Sequence, residues 1–194
     1  MGEIIVELGH HSINIIFKDK KINLKIYPLE LRHRAIREYE VLRKLYKHGI
    51  NVPQPIKLVD SANCMILIRE FVDGIFFRDA IERLSIDELR VLLLELIKQL
   101  NAVENLGIYI SEFSSLSKNV IVVGTKPYLI DVERASFQRK SIVTQLLGFL
   151  IKLSGSPKLC KKLSKVVQVK KLKAAAQIYK KTRNLDTILD LFRA

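Results

Sequence analysis

"KNVIVVGTKPYLIDVE", residues 118–133, is an apolar run broken once by a turn. Asn119 stands near its start, and Asp131 closes it beside Glu133. Short hydrophobic strands flanking a tight turn make a rigid hairpin, so side chains at its two ends are held close together. The pattern predicts a strand over 119–123, a turn at Gly124–Pro127 and a strand over 128–130. Magnesium binds hard oxygens in a fixed geometry, and Asn119 and Asp131 would supply them. Taken singly, an Asn that caps a turn and an Asp that opens a loop are equally common uses of these residues.

Upstream, the first 27 residues alternate and turn like a small antiparallel sheet. "EIIVEL" (3–8), "SINIIFK" (12–18) and "INLKIY" (22–27) read as strands, and Pro28 ends the third. A helix is expected over 30–48, with Gly49 behind it as a C-terminal stop. "NVPQP" (51–55) is a stiff connector, and 56–72 reads as two strands around a turn. After Asp73-Gly74 the period changes from two to helical. Ser85 and Glu88 form a capping box before a helix that ends near Gly107. An irregular loop is expected over 108–118. From about 140 the chain reads as helical, interrupted at "SGSP" (154–157).

Phosphoryl transfer from ATP needs a cation on the phosphates, a carboxylate orienting it, and oxygen ligands for magnesium. Lys25 shares a strand face with Asn23 and Tyr27, which alone equally suits a solvated lysine. Glu38 falls inside a helical apolar stripe of Leu31, Ala35, Leu42 and Leu45. A carboxylate there is costly unless a cation meets it, and Lys25 can be that cation. Glu40, with Arg43 and Lys44 at helical spacing, suits an exposed face instead.

Together these residues resemble protein kinases, specifically the small atypical kinases of the RIO-like group and related archaeal predicted Ser/Thr kinases. The likeness runs over about residues 5–150. "INLKIY" is similar to the strand bearing the phosphate-binding lysine, and "AIREYEVLRKLYKHGINVPQPI" to the following helix and connector. "MILIREFVDG" is similar to the segment whose backbone holds adenine, here Glu70, Phe71 and Val72. The resemblance implies an α+β, bilobal kinase-like fold: a small antiparallel-sheet lobe over 1–72 and a helical lobe over 73–194. It implies an atypical Ser/Thr protein kinase-like phosphotransferase using ATP and Mg2+. Lys25 and Glu38 would act at the phosphates, and Asn119 and Asp131 would hold the metal.

Three departures accompany this likeness. The loop "LGHHSINI" keeps only Gly9 of a glycine-rich turn, with Ser12 left to contact phosphate; His10 and His11 restrict close backbone approach. The position usually holding the catalytic aspartate is Ser114, and a longer register offers Glu112 as the base. "VERASFQRK" is short for an activation loop and no Ala-Pro-Glu follows, which removes the usual means of recognising a peptide substrate. The alternative function is a pseudokinase: a nucleotide-binding interaction module with little or no turnover.

Composition narrows the remaining classes. The 194 residues carry 48% hydrophobic and 27% charged side chains, as a globular protein does. No basic-then-apolar leader is visible, the longest apolar runs fall short of the ~20 residues that span a bilayer, and Val6 breaks a myristoylation signal. A cytoplasmic protein without membrane attachment is expected. Cys64 and Cys160 form no CxxC pair, and the four histidines have no ligand spacing, so neither zinc nor a redox couple is expected. The net charge is +13; residues 138–194 hold fourteen Lys and Arg against Asp186 and Asp190 alone. That excess permits RNA binding through residues 158–183, although Tyr179 is the sole aromatic there. An acidic protein partner, or a merely solvated face, fits the same charges.

Overall fold

Alternating residues in the first third build an antiparallel sheet, seen in a computed structural model that describes residues 2–111, 113, 116–138 and 140–193. Its strands are β1 (Ile4–Leu8), β2 (Ile13–Phe17), β3 (Ile22–Pro28), β4 (Pro55–Asp60) and β5 (Cys64–Glu70), in the order β1-β2-β3-β5-β4. Gly9 N donates to Ser12 O at 2.9 Å to close the first turn. Lys21, at φ 51°, closes the second. In β3 the buried face is Asn23, Lys25 and Tyr27; in β5 it is Met65, Leu67 and Arg69. Register places Asn23 opposite Arg69, Lys25 opposite Leu67 and Tyr27 opposite Met65. Polar groups thus sit on the inner face of this sheet.

The helix expected over 30–48 is a 3-10 turn, Leu29–Leu31, followed by α1 (Arg32–Lys47). Pro28, extended, holds the chain out of helical geometry until that tighter first turn. Ala35, Glu38, Val41, Leu42 and Leu45 form the buried face of α1. Gly49 at φ 72° ends it, a conformation that costs a residue with a Cβ more than it costs glycine.

Beyond Gly74 come β6 (Ile75–Phe76), α2 (Phe77–Arg83) and α3 (Ile86–Asn105). The capping box forms as read: Glu88 N donates to Ser85 Oγ at 3.2 Å, and Ser85 N to Glu88 Oε2 at 2.8 Å. Ser85→Ala is expected to lower stability by about 1 kcal/mol, measurable as a shifted denaturant midpoint at unchanged slope. Leu89, Leu92, Leu93, Leu96, Ile97, Leu100 and Val103 bury one side of α3 at helical spacing.

The segment expected to be an irregular loop instead contains a short strand, β7 (Ile108–Ile110), and one helical turn, α4 (Leu116–Asn119). Then follow β8 (Val120–Val123), β9 (Lys126–Leu129) and β10 (Ala135–Phe137). Asn119 therefore ends a helical turn rather than opening a strand. The C-terminal run is α5 (Ile142–Leu153), α6 (Pro157–Val166), α7 (Val169–Thr182) and α8 (Asp186–Arg193). Among the described residues, no helix is long and apolar enough to cross a membrane.

Contacts group the chain into two compact units, Met1–Gly74 with Tyr128–Ala135, and Ile75–Pro127 with Ser136–Ala194. In the second unit one carboxylate gathers three helices. Glu104, on α3, accepts from Ser141 Oγ and Val143 N at the start of α5, both at 2.7 Å. Its other oxygen accepts from Tyr179 Oη and Arg183 Nη1 at the end of α7, both at 2.8 Å. Burial first, and Glu104 next, push the Tyr179 phenol above its ordinary pKa.

Candidate functional site

Alternation in β3 turns Lys25 inward, and helical spacing in α1 turns Glu38 toward it. Lys25 Nζ lies 2.9 Å from Glu38 Oε2, 3.0 Å from Asp131 Oδ1 and 3.5 Å from Glu133 Oε2. Arg69, from the buried face of β5, donates to Glu38 Oε1 at 2.9 Å. Arg34 of α1 pairs with Glu133 Oε1 at 3.1 Å. The Tyr27 hydroxyl bonds Glu38 Oε2 and lies 3.0 Å from Glu133 Oε2. All these groups belong to the first unit, because residues 128–135 return to it.

Three cations thus meet three carboxylates, largely out of water. Burial, the largest single influence, discourages charge on Lys25, but Glu38, Asp131 and Glu133 together outweigh burial and the nearby Arg69 and hold the amine above its ordinary pKa. Burial likewise opposes the Glu38 carboxylate, yet Lys25 and Arg69 hold its pKa below the usual range. Tyr27 moves the other way: desolvation and then Glu38 raise its pKa, so it stays a neutral donor.

Asp131 differs from its neighbours. Its side chain is 41% exposed, against 0% for Glu38 and 7% for Glu133. Its backbone is left-handed, φ 61°, a region that Asp and Asn tolerate better than most residues. Leu129 N bonds Asn51 O at 2.9 Å before it, and Ala135 N bonds Val132 O at 3.0 Å after it, so the unusual residue is held from both sides. One oxygen from each of Glu38, Asp131 and Glu133 lies within 4.8 Å of the others, a donor set of hard oxygens that fits magnesium in kind. Glu38 and Glu133 already hold cations while buried, which leaves Asp131 as the carboxylate with an open side.

The remaining residues singled out from sequence are distributed as follows. Gly9 and Ser12 close the β1–β2 turn on each other. His11 Nε2 in that turn lies 3.2 Å from Arg134 Nη2, three residues past Asp131. Glu70 N donates to Gln54 O at 2.9 Å, Phe71 N to Lys21 O at 2.8 Å, and Val72 is buried, so the strand exit is pinned. Asn119 belongs to the second unit, at the end of α4. Glu112 and Ser114 lie outside the described residues. Sequence reasoning missed Arg69, Arg34 and the role of Glu133. Arg69 carried a readable signal: it alternates with Met65 and Leu67, so it is a cation on an apolar face.

An N-terminal antiparallel sheet, helices after it, and a buried lysine–glutamate pair meeting an aspartate define an atypical kinase-like protein with a mixed α and β fold. Comparison with known families agrees: the RIO domain matches residues 14–147, and the chain belongs to that family. It is also 30% identical over 131 residues to KEOPS complex subunit Bud32 of Pyrococcus abyssi. That match covers 66% of this chain and 58% of the relative, so the chain spans little more than half of that protein's length.

Proposed function

We propose that the protein is an ATP- and Mg2+-dependent phosphotransferase of the atypical Ser/Thr protein-kinase type. The supporting observation is Lys25 Nζ held at 2.9 Å from Glu38 and 3.0 Å from Asp131 on the inner face of the sheet. In this reading Lys25 neutralises nucleotide phosphates and Glu38 keeps it aimed. The turn with Gly9 and Ser12 approaches the same phosphates, and the backbone of Glu70 and Val72 holds adenine. Asp131 and Asn119 are the metal ligands, and Glu112 is the base that takes the acceptor hydroxyl's proton. Magnesium would neutralise charge on the transferred phosphoryl group. Membership of a kinase-like family supports ATP as the donor.

The test is ATP titration with and without Mg2+, followed by labelled phosphate transfer, on wild type, Lys25→Ala and Glu112→Gln. Transfer lost in both, with ATP still bound by Glu112→Gln, is the expected result. Transfer unaffected by Glu112→Gln removes that residue as the base. Tight ATP binding without transfer in wild type would instead identify a pseudokinase, a nucleotide-responsive interaction module.

A second reading concerns partners. Lys165 of α6 and Lys170, Lys171, Lys173 and Lys180 of α7 are all exposed, in a segment almost free of acids. Phosphate contacts from such a surface favour RNA with a steep salt dependence. Transfer RNA bound no better than a neutral polymer at low salt would end that reading. The relative's name, a complex subunit, supports a protein partner for this chain as well.

A further inference from the structure

The buried cluster has an order that a simple lysine–glutamate pair lacks. Each buried glutamate has its own arginine on one oxygen: Arg69 on Glu38 Oε1 at 2.9 Å, and Arg34 on Glu133 Oε1 at 3.1 Å. On the second oxygen of each they share Lys25 and the Tyr27 hydroxyl. Among the described residues, Lys25 is therefore the one cation common to all three carboxylates. A lone buried pair could not release its lysine without stranding a carboxylate in the interior. Here Glu38 keeps Arg69 and Tyr27 if the lysine leaves.

We infer that Arg69 is a positioning residue that anchors Glu38, and with it α1, so that Lys25 can be handed to an anionic ligand without undocking the helix. Arg69 sits opposite Asn23, two residues from Lys25 along the same inner face, so its guanidinium approaches Glu38 from the adjacent strand. Its guanidinium is buried, 7% exposed for the residue as a whole. A buried arginine is a poor choice for stability alone, since a well-packed apolar side chain of similar size in place of a buried ion pair is often neutral or stabilising. Its placement is explained by what it does to Glu38. The consequence is a divided role: Arg69 holds the helix, and Lys25 serves whatever anion arrives.

This inference rests on the phosphotransferase reading for its ligand, but part of its test does not. In the binding arm, Arg69→Met, Arg69→Lys and wild type are titrated with ATP and with adenosine. With Arg69→Met, Glu38 retains Lys25 as its sole cation among the described groups, so ATP affinity is expected to fall about tenfold, a usual size for coupling between sites. Adenosine, which lacks phosphates, should bind as before, and Arg69→Lys should recover most of the loss. Equal weakening of both ligands, or of neither, overturns the inference. The second arm needs no ligand and measures denaturant midpoints. Lys25→Met alone is expected to stay folded with a midpoint near wild type, whereas adding it to Arg69→Met should unfold the protein. Should Lys25→Met alone unfold the protein, Arg69 is not the anchor. Failure of wild type to bind ATP would defeat the phosphotransferase reading while leaving this second arm to decide the role of Arg69.

Discussion

Glu38→Ala is expected to lower the free energy of unfolding by roughly 3–5 kcal/mol, the usual cost of removing one partner from a buried ion pair. Glu38 is fully buried, and Lys25 and Arg69 are 5% and 7% exposed, so the change takes from Arg69 the carboxylate it pairs with out of water and leaves Lys25 to Asp131 and Glu133. Against a total stability of about 5–15 kcal/mol for a typical domain, a loss of that size brings the protein close to unfolding at room temperature. Chemical denaturation checks it, with Glu40→Ala as the control: Glu40 is exposed two positions away, and its loss should stay within about 0.5 kcal/mol. The pH dependence carries the same signature. Glu38 has a pKa below its ordinary 4.5, so its contribution is complete above that value and disappears as pH falls through the depressed one. Lys25 is raised above 10.5, so its contribution is complete below that value and disappears only as pH climbs through the raised one. Glu38→Gln should therefore flatten the acid limb of the stability curve. An acid limb unchanged by Glu38→Gln would contradict the charged pairing.

Asp131→Asn is expected to reduce Mg2+-dependent phosphate transfer on the order of a thousandfold, as loss of several kcal/mol of charge stabilisation implies. The substitution isolates the charge. Asparagine accepts the left-handed backbone at φ 61° nearly as readily as aspartate, whereas alanine there would add strain to any loss of metal binding. Because the Asp131 side chain is 41% exposed, its pairing with Lys25 is screened by solvent, and the melting temperature should barely move. Labelled transfer assays and calorimetry on the same sample separate the two effects. Transfer retained by Asp131→Asn would remove Asp131 from the metal role.

The two substitutions draw on different kinds of sequence information. Lys25 and Glu38 were legible because local periodicity decides which way a side chain faces, and a charged group among apolar neighbours is conspicuous. The kinase-like fold and the family followed from the order of such segments, and both are borne out. Arg69 was equally legible by period but went unremarked among the residues leading to Glu70 and Val72. Glu133 and Arg34 are a different case: ninety-nine positions separate them, and no local pattern says which distant carboxylate a helix cation will meet. The short elements failed for another reason. Three residues of β7 and four of α4 are too few for a period to register, and contacts elsewhere in the fold decide their conformation. Reading Asn119 as a strand opener stumbled there, one residue from the true boundary.

Glu104 has a mechanical consequence for the lysine-rich surface. Four donors on one carboxylate tie the start of α5 and the end of α7 to α3. The helix sets the spacing of the amines along α7 and the tether fixes how that helix is seated on α3, so they stand like pegs on a mounted board and not as a loose brush. A polyanion meeting a peg-board gains from matching its own phosphate repeat to the pegs, whereas a brush accepts any repeat. Severing the Glu104 tether would loosen the mounting of the board without removing a single positive charge.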